Sequence, residues 1–256
     1  MTDLIVKDSG LLQVEGLSRR FGGLRALHDV TLSIPHGQTL GVIGPNGAGK
    51  STFINLVTGH LRPSAGTVRI GGKDMTGARP WTIAEAGVAR TFQIVKPFRG
   101  MTVRENVVVG VMYSPRGVPR MAHALARADE VLERVGLAGK AEATPGELSV
   151  ADARRLEFAK ALALKPRLLL LDEVMAGLRH REIDATLELI HGLKAEGMTI
   201  VAVEHVMKAI LSISDSVLVL HHGKVLTTGA PRYVLSDERV IEAYLGHRYA
   251  VRREER

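Results

Sequence analysis

The sequence has 256 residues, no cysteine and a formal net charge of +7. Its hydrophobic share of 45% is that of an ordinary globular chain. The longest apolar runs, at residues 168–171 and 198–203, are far shorter than the roughly 18 residues that a membrane-spanning helix needs. These properties exclude a disulfide-stapled scaffold, and they predict a soluble, cytoplasmic-type chain of one or two domains. Residues 1–10 lack the apolar stretch of a secretory signal, so we expect no such signal.

The first part of the sequence predicts β-strands. Residues 11–19 and 25–34 partly alternate apolar and polar side chains, with a turn at Phe21-Gly22-Gly23 between them. Residues 39–43 form a shorter, mostly apolar run that is typical of a buried strand. A further strand and turn is predicted at residues 67–73, so we expect antiparallel strands beside a buried one.

A glycine-rich segment follows the buried strand and precedes a run with helical spacing. It matches the pattern G-x-x-x-x-G-K-S, in which glycines let backbone N–H groups point inward and the helix N-terminus attracts anions. Lys50 adds a full positive charge for the β- and γ-phosphates, and the Ser51 hydroxyl is a ligand for Mg²⁺. We therefore predict a nucleoside triphosphate site made by Gly44, Pro45, Asn46, Gly47, Ala48, Gly49, Lys50, Ser51 and Thr52.

The middle of the sequence is predominantly helical. Residues 82–89 predict a helix, and residues 90–93 predict a short strand that ends on Gln93. We interpret the stretch from about residue 100 to residue 165 as a helical insertion into an α/β core. Its three helices are expected at residues 102–111, 121–135 and 149–164.

Strands and helices alternate again after this insertion, which predicts a parallel sheet covered on both faces. The expected elements are strands at 168–171 and 198–203, helices at 181–196 and 206–212, and a hairpin of strands at 217–221 and 224–228. The fold class is therefore α/β, with a phosphate-loop NTPase core, an antiparallel β subdomain and an inserted helical subdomain. A helix at 237–245 and a frayed tail at 247–256 follow.

The strand at 168–171 leads into two acidic residues, Asp172 and Glu173. Ligand sites in parallel sheets lie at the carboxyl ends of the strands, which places these carboxylates beside the predicted phosphate loop. We expect Asp172 to hold Mg²⁺ through water, and Glu173 to be the base that orients and polarises the attacking water.

The sequence also indicates which base the nucleotide carries. Guanine recognition normally requires an Asn-Lys-x-Asp element, and none of the three asparagines, Asn46, Asn55 and Asn106, precedes a lysine. This leaves adenine, and therefore ATP, with Phe21 as a candidate for stacking on the ring. From its position alone, Phe21 is explained equally well as a core or turn aromatic.

The order of these features resembles the nucleotide-binding subunit of an ATP-binding cassette (ABC) transporter, with Gln93, Leu148-Ser149 and His205 at matching places. The resemblance covers about residues 11–246, which we expect to form a single ABC ATPase domain with a helical subdomain at about 100–165. Four segments are similar to the LivG-type ATPase of branched-chain amino acid importers. They are Phe21-Gly22-Gly23-Leu24-Arg25-Ala26-Leu27, Ala89-Arg90-Thr91-Phe92-Gln93, Val203-Glu204-His205-Val206-Met207-Lys208 and Arg239-Val240-Ile241-Glu242-Ala243-Tyr244-Leu245-Gly246.

This resemblance implies roles for individual residues. Gln93 would contact Mg²⁺ and the attacking water and relay the nucleotide state to a membrane subunit. His205 would hydrogen-bond the γ-phosphate, although without the resemblance it is more simply a satisfied or exposed histidine. Two subunits of this family sandwich two ATP molecules, so Ser149, in the signature segment, would contact the ATP of the partner subunit.

The resemblance also implies partners and a location. Transmembrane permease subunits would dock through the Gln93 region and the helical insertion. A periplasmic-type binding protein would act indirectly, through the permease. The chain would then be cytoplasmic and peripheral, on the inner face of the cell membrane.

The signature segment departs from the family pattern Leu-Ser-Gly-Gly-Gln, because it reads Leu148-Ser149-Val150-Ala151-Asp152. Side chains at the two glycine positions would hinder close approach to the partner's γ-phosphate. Asp152 would add a repulsion of roughly 3 kcal/mol at about 6 Å and an effective dielectric near 20. Alternatively, Asp152 caps the next helix by accepting a bond from the Ser149 N–H and never faces phosphate. Val174 replaces the usual Pro, and Arg179 stands where Asp or Asn is common. From the sequence it is therefore an open question whether the two ATP sites of a pair communicate.

Three functional hypotheses follow. The first is the ATPase subunit of an importer for branched-chain amino acids or similar small solutes, paired with a non-identical second ATPase subunit or, alternatively, with itself. The second is a non-transport ABC ATPase acting on nucleic acid or the ribosome, prompted by the net charge of +7. Because charges of both signs are interspersed, a solvated mixed surface is the simpler explanation and we expect no nucleic-acid partner. The third is a regulatory ATP-binding module without hydrolysis, against which Glu173 and His205 argue.

Overall fold

The computed structural model describes residues 10–115 and 120–245. The strands are β1 (Leu12–Phe21), β2 (Leu24–Ile34), β3 (Thr39–Ile43), β4 (Ala65–Ile70), β5 (Lys73–Asp74), β6 (Val88–Arg90), β7 (Leu168–Asp172), β8 (Thr199–Val203), β9 (Ser216–His221) and β10 (Lys224–Gly229). The helices are α1 (Lys50–Val57), α2 (Pro80–Glu85), α3 (Val103–Met112), α4 (Met121–Arg134), α5 (Val150–Ala163), α6 (His180–Ala195), α7 (Met207–Ile213), α8 (Pro231–Ser236) and α9 (Glu238–Leu245). In these two ranges, no helix is both long enough and apolar enough to pass through a membrane. The tail expected at residues 247–256 lies outside the described residues.

The larger sheet is the parallel core that the alternating pattern predicts, with the strand order β10-β9-β3-β8-β7-β6. β3 runs parallel to β8 and β9, and β7 runs parallel to β6 and β8, whereas β10 is an antiparallel edge strand. Every residue of β3, β7 and β8 is buried, as expected for strands that helices cover on both faces. The carboxyl ends of these three strands lie side by side, and each leads into residues of the predicted site.

The smaller sheet is antiparallel, with the order β2-β1-β4-β5. One hydrophobic cluster joins it to the larger sheet, and this cluster contains Leu17 of β1, Phe53 of α1 and Leu170 of β7, each with 0% exposure. The packing brings β2 against the phosphate loop, because a Cβ added to Gly49 would lie 2.7 Å from the Ala26 carbonyl oxygen. The antiparallel sheet therefore forms one wall of the region above the loop.

Helices α3, α4 and α5 form the predicted helical insertion, and their bounds agree with the expected ones within one residue. α3 begins at a capping box, in which Thr102 and Glu105 satisfy each other's backbone N–H groups. Valine is a modest helix former, but Val103, Val107 and Val111 are buried on one face of α3 in the cluster shared with α4 and α5. Packing therefore overrides the local propensity of this segment.

Two local predictions need correction, and one helix was not predicted. The helix predicted at residues 82–89 is α2, which starts earlier because Pro80 suits the first helical position and which ends at Glu85. Val88 and Ala89 were predicted as helix but belong to β6. The strand predicted at residues 90–93 is β6, which ends at Arg90 and leaves Gln93 in the loop beyond it. Helix α8 was not predicted from the sequence, although Pro231 at its first turn is a helix-start signal.

Candidate functional site

The phosphate loop connects β3 to α1. Gly44, Gly47 and Gly49 have φ angles of 152°, 79° and 108°, a backbone region that favours glycine. A Cβ added to Gly44 would lie 2.1 Å from the Leu220 carbonyl oxygen, so no side chain fits there. Gly49 is also the N-cap of α1. The first N–H groups of an α-helix lack intrahelical partners, and those of α1 therefore form a cradle for an anion.

A cavity of about 610 Å³ lies above this loop, within the roughly 300–1,000 Å³ typical of ligand pockets. The loop, the β1–β2 hairpin and the ends of the central strands form its walls. The residues that line it are Leu24, Arg25, Ala26, Asn46, Gly47, Ala48, Gly49, Lys50, Ser51, Thr52, Gln93, Glu173, His205 and His222. Residues 46–52 of the phosphate loop and all three residues predicted as catalytic thus border one space. Gly44, Pro45 and Asp172 are not among the described residues that line it.

The described residues that line this cavity do not include Phe21. It lies at the end of β1 with 43% of its surface exposed, and the Arg19 guanidinium lies 4.6 Å from its ring centre. Leu24, Arg25 and Ala26 line the hairpin side instead, and they were not predicted from the sequence as site residues. Their place directly after the Phe21-Gly22-Gly23 turn was the available signal. A stacking role for Phe21 stays a prediction.

Lys50 is buried beneath the loop, with 6% of its surface exposed. Its Nζ donates to the carbonyl oxygens of Gly44 at 2.6 Å and Pro45 at 3.1 Å. Burial lowers the pKa of the Lys50 ammonium, and the nearby charges of Glu173 and Asp172 offset only part of this shift. The ammonium group therefore lies inside the curl of the loop, where phosphate oxygens would enter.

Glu173, Gln93 and His205 meet at the rim of the cavity. Gln93 Nε2 donates to Glu173 Oε2 at 2.7 Å, and His205 Nε2 lies 2.6 Å from Glu173 Oε1. Glu173 adopts a left-handed backbone conformation, with φ of 52°, which is uncommon for a residue with a side chain. Its N–H donates to the Val203 carbonyl oxygen at 2.9 Å. The three residues come from three separate segments of chain, and the parallel sheet brings them together.

Asp172 is buried, with 4% exposure, and it is paired with Arg90. Arg90 Nη2 donates to Asp172 Oδ2 at 3.1 Å, and Arg90 Nη1 donates to Asn55 Oδ1 at 2.8 Å. Burial raises the pKa of the Asp172 carboxyl above its ordinary value, although the Arg90 charge acts against this shift. Arg90 was not predicted from the sequence as part of the site, because only the fold brings it to Asp172.

The donor set suits Mg²⁺ better than a cation that needs a full protein cage. No group of three or more His, Asp or Glu side chains that could hold a metal occurs in residues 10–115 and 120–245. Mg²⁺ usually takes one or two carboxylates and completes its shell with phosphates and water. Ser51 is exposed and lines the cavity, whereas Asp172 is buried and is not among the described residues that line it. The two would therefore supply few direct protein ligands, as in that pattern.

The signature segment is organised around Asp152. Ser149 is the N-cap of α5, and its hydroxyl accepts from the Asp152 N–H at 3.1 Å and donates to Asp152 Oδ2 at 2.6 Å. Lys140 Nζ donates to the same carboxylate oxygen at 2.6 Å. Burial raises the pKa of the Asp152 carboxyl, but the bonds from Lys140 and Ser149 outweigh this and hold the pKa below its ordinary value.

These contacts decide between the two alternatives for Asp152. The carboxylate folds back onto its own helix start, as in the capping alternative, but it contacts the Ser149 hydroxyl and not the expected Ser149 N–H. Lys140 balances its charge, so the repulsion predicted from an isolated Asp152 is offset. The steric departure remains, because Val150 exposes 66% of its surface at this helix start.

Glu204 is a buried carboxyl that was not predicted from the sequence as a functional residue. It directly follows β8, is 1% exposed, and its Oε1 accepts from the Met175 N–H at 3.0 Å. Burial raises the pKa of Glu204 from 4.5 to about 7, and the backbone hydrogen bonds from Met175 and His205 act against this rise. The site therefore contains a carboxyl that titrates near neutral pH.

Glu204→Gln should make the protein more stable at high pH. The pKa of Glu204 is higher in the folded chain than in the unfolded chain. The stability that the protonated Glu204 gives the folded chain is therefore complete below about pH 4.5 and is lost as the pH rises through about 7. Glutamine keeps an oxygen for the Met175 N–H and cannot ionise. The free energy of unfolding of the variant should exceed that of the unmodified chain by more at high pH than at low pH. We expect this excess, measured by urea denaturation, to be about 2–3 kcal/mol larger at about pH 8 than at about pH 5. The exposed Glu188→Gln on α6 is the control, and a gain that does not depend on pH would contradict the expectation.

Comparisons with known proteins agree with the geometry of the site. A family model described as "ABC transporter" matches residues 27–176, and one described as "Branched-chain amino acid ATP-binding cassette transporter" matches residues 224–250. The chain is 39% identical to the high-affinity branched-chain amino acid transport ATP-binding protein BraF of Pseudomonas aeruginosa, over 92% of this chain and 98% of BraF. The same values hold for the protein LivG of Escherichia coli K12. These relatives do not support the nucleic-acid alternative.

The fold agrees with solved structures as well. The crystal structure of the ADP conformation of an ATP-binding cassette of an ABC transporter matches with a TM-score of 0.85 and 31% identity, over 93% of this chain and 99% of that one. This confirms the predicted fold class. BraF and LivG are branched-chain amino acid transport ATP-binding proteins, and this chain belongs with them to the ABC transporter family.

Proposed function

We propose that this chain is the ATP-hydrolysing subunit of an importer for branched-chain amino acids or similar small solutes. The observation that carries the proposal is the meeting of Glu173, Gln93 and His205 at the cavity above the phosphate loop, in a chain of this family. The names of BraF and LivG support the solute class. Residues 11–246 would act as one cassette.

In this proposal, individual side chains carry the steps of hydrolysis. ATP occupies the cavity, with its β- and γ-phosphates at Lys50 and the N-terminus of α1. Glu173 orients the attacking water and accepts its proton, while His205 hydrogen-bonds the γ-phosphate. Both Glu173 carboxylate oxygens face an Nε2 atom, so one of these contacts has to open before water reaches the base. Mg²⁺, held by Ser51, Gln93 and, through water, Asp172, would neutralise phosphate charge.

The loop after Gln93 supplies a surface for permease subunits. Ile94 and Phe98 expose 72% and 48% of their surface, and clustered apolar exposure of this kind marks interaction sites. Arg154 of α5 donates to the carbonyl oxygens of Phe92 and Gln93, which ties this loop to the helical insertion. Docking there would hold the chain at the inner face of the cell membrane. A periplasmic-type binding protein would reach it only through the permease.

The second ATPase subunit of the complex is, in this proposal, a non-identical chain. Val150 stands exposed where the family pattern has glycine, so a side chain occupies the space that the partner's γ-phosphate would approach. A partner with both glycines would leave Lys50 and Glu173 of this chain as the competent site. A homodimer is the alternative.

Purification of the chain alone and with permease subunits and a second ATPase from neighbouring genes tests both parts. We expect a stable complex whose ATP turnover rises with a binding protein loaded with a branched-chain amino acid. The chain alone should turn over slowly, and Val150→Gly/Ala151→Gly should raise that rate. Asp152→Gln is the matched control and should give no gain, because Lys140 already balances the charge.

Different outcomes reject different parts of the proposal. A complex whose turnover ignores every amino acid offered would reject the solute class. Fast turnover by the unmodified chain alone, with no gain in the glycine variant, would reject the need for a non-identical partner.

A further inference from the structure

The last two helices pack against the strand that leads into the phosphate loop. Val234 of α8 and Val240 of α9 are buried in one hydrophobic cluster with Ile43, the last residue of β3, at 0%, 2% and 0% exposure. These helices lie within residues 224–250, which the C-terminal family model matches. The C-terminal helices therefore pack against Ile43, the residue that immediately precedes the loop.

Tyr244 of α9 extends this contact from the core to the loop itself. Its hydroxyl oxygen accepts a hydrogen bond from the Gly44 N–H, with an N···O distance of 2.6 Å, although the two residues are 200 positions apart. Gly44 is confined elsewhere by Leu220 of β9, whose carbonyl oxygen leaves no room for a Cβ. The first residue of the loop is thus held by both β9 and α9.

Gly44 also connects Tyr244 to the charged side chain of the loop. Its carbonyl oxygen accepts from Lys50 Nζ at 2.6 Å, while its N–H donates to Tyr244. A rotation of residue 44 would therefore break the bond to α9 and displace an oxygen that holds the Lys50 ammonium. The orientation of one glycine couples α9 to the phosphate-binding lysine.

We propose that Tyr244 is a positioning residue for ATP binding. Through Gly44 it holds the start of the phosphate loop, and with it Lys50, in the conformation that receives the β- and γ-phosphates. The inference rests on the proposed function in that ATP binds at this loop. It gives α9 a part in nucleotide affinity in addition to its packing.

Tyr244→Phe tests this inference, because it removes the hydroxyl acceptor and keeps the ring. We expect the Kd for a fluorescent ATP analogue to rise roughly tenfold, which corresponds to about 1.4 kcal/mol, the size expected for a buried amide left without its acceptor. In the assembled transporter the KM for ATP should rise by a similar factor while kcat stays unchanged. Tyr233→Phe on α8, where the ring is 71% exposed, is the matched control and should leave both constants unchanged.

Hydrogen exchange gives a second measurement that does not depend on nucleotide. The Gly44 amide should exchange faster in Tyr244→Phe than in the unmodified chain, and at the unmodified rate in Tyr233→Phe. An unchanged Kd in Tyr244→Phe, with or without a lower Tm, would overturn the inference by showing a packing role only. Failure of the unmodified chain to bind ATP would reject the proposed function, whereas equal binding by both chains rejects only the role of Tyr244.

Discussion

Glu173→Gln lowers the rate of ATP hydrolysis by a factor of about 10²–10⁴, the usual contribution of a general base. The amide cannot accept a proton from water, but it has the same shape as the carboxylate. It also leaves Lys50 and the phosphate loop untouched, so the Kd for ATP should change little. The measurement is phosphate release by the purified transporter, together with binding of an ATP analogue to the isolated chain.

The control for this variant is Glu188→Gln, which makes the same chemical change on an exposed face of α6 and should leave turnover unaltered. A Glu173→Gln transporter that hydrolyses ATP at the unmodified rate would remove Glu173 from the role of base. A loss of both binding and hydrolysis would point to disruption of the contacts with Gln93 and His205, and would also count against the assignment.

Arg90→Met lowers the free energy of unfolding by about 3–5 kcal/mol, the range found when one partner of a buried ion pair is removed. The Arg90 and Asp172 side chains are only 11% and 6% exposed, and methionine leaves the Asp172 carboxylate buried without its cation. Protonation of Asp172 relieves part of this cost, so the loss should be larger at about pH 8 than at about pH 5. Urea denaturation at the two pH values provides the measurement.

Arg104→Met is the matched control, because Arg104 pairs with the more exposed carboxylates Asp129 and Glu142 on the surface of the helical insertion. Ion pairs of that kind contribute little to stability, and we expect no measurable change. If Arg90→Met and Arg104→Met had the same effect, the buried pair would have no special part in stabilising the carboxyl end of β7.

The sequence predicts those parts of the molecule that local patterns encode. The phosphate loop is recognisable because its glycines, Lys50 and Ser51 are consecutive, and the helices of the insertion are recognisable from their spacing and caps. The Arg90–Asp172 and Tyr244–Gly44 contacts join residues 82 and 200 positions apart, and no local pattern reports such a pairing. Likewise, nothing in the sequence near Asp152 shows that Lys140 balances its charge, since the loop before α5 brings the two side chains together.

Helix α5 connects the signature segment to the loop that contains Gln93. Its N-terminus carries the signature segment, and Arg154, one turn further on, donates a hydrogen bond to the Gln93 carbonyl oxygen. Lys160, near its other end, donates to the Lys96 carbonyl oxygen at 2.8 Å. Both contacts join α5 to the loop whose Gln93 side chain donates to Glu173. A displacement of the N-terminus of α5 would therefore also displace Gln93 and alter its hydrogen bond to Glu173.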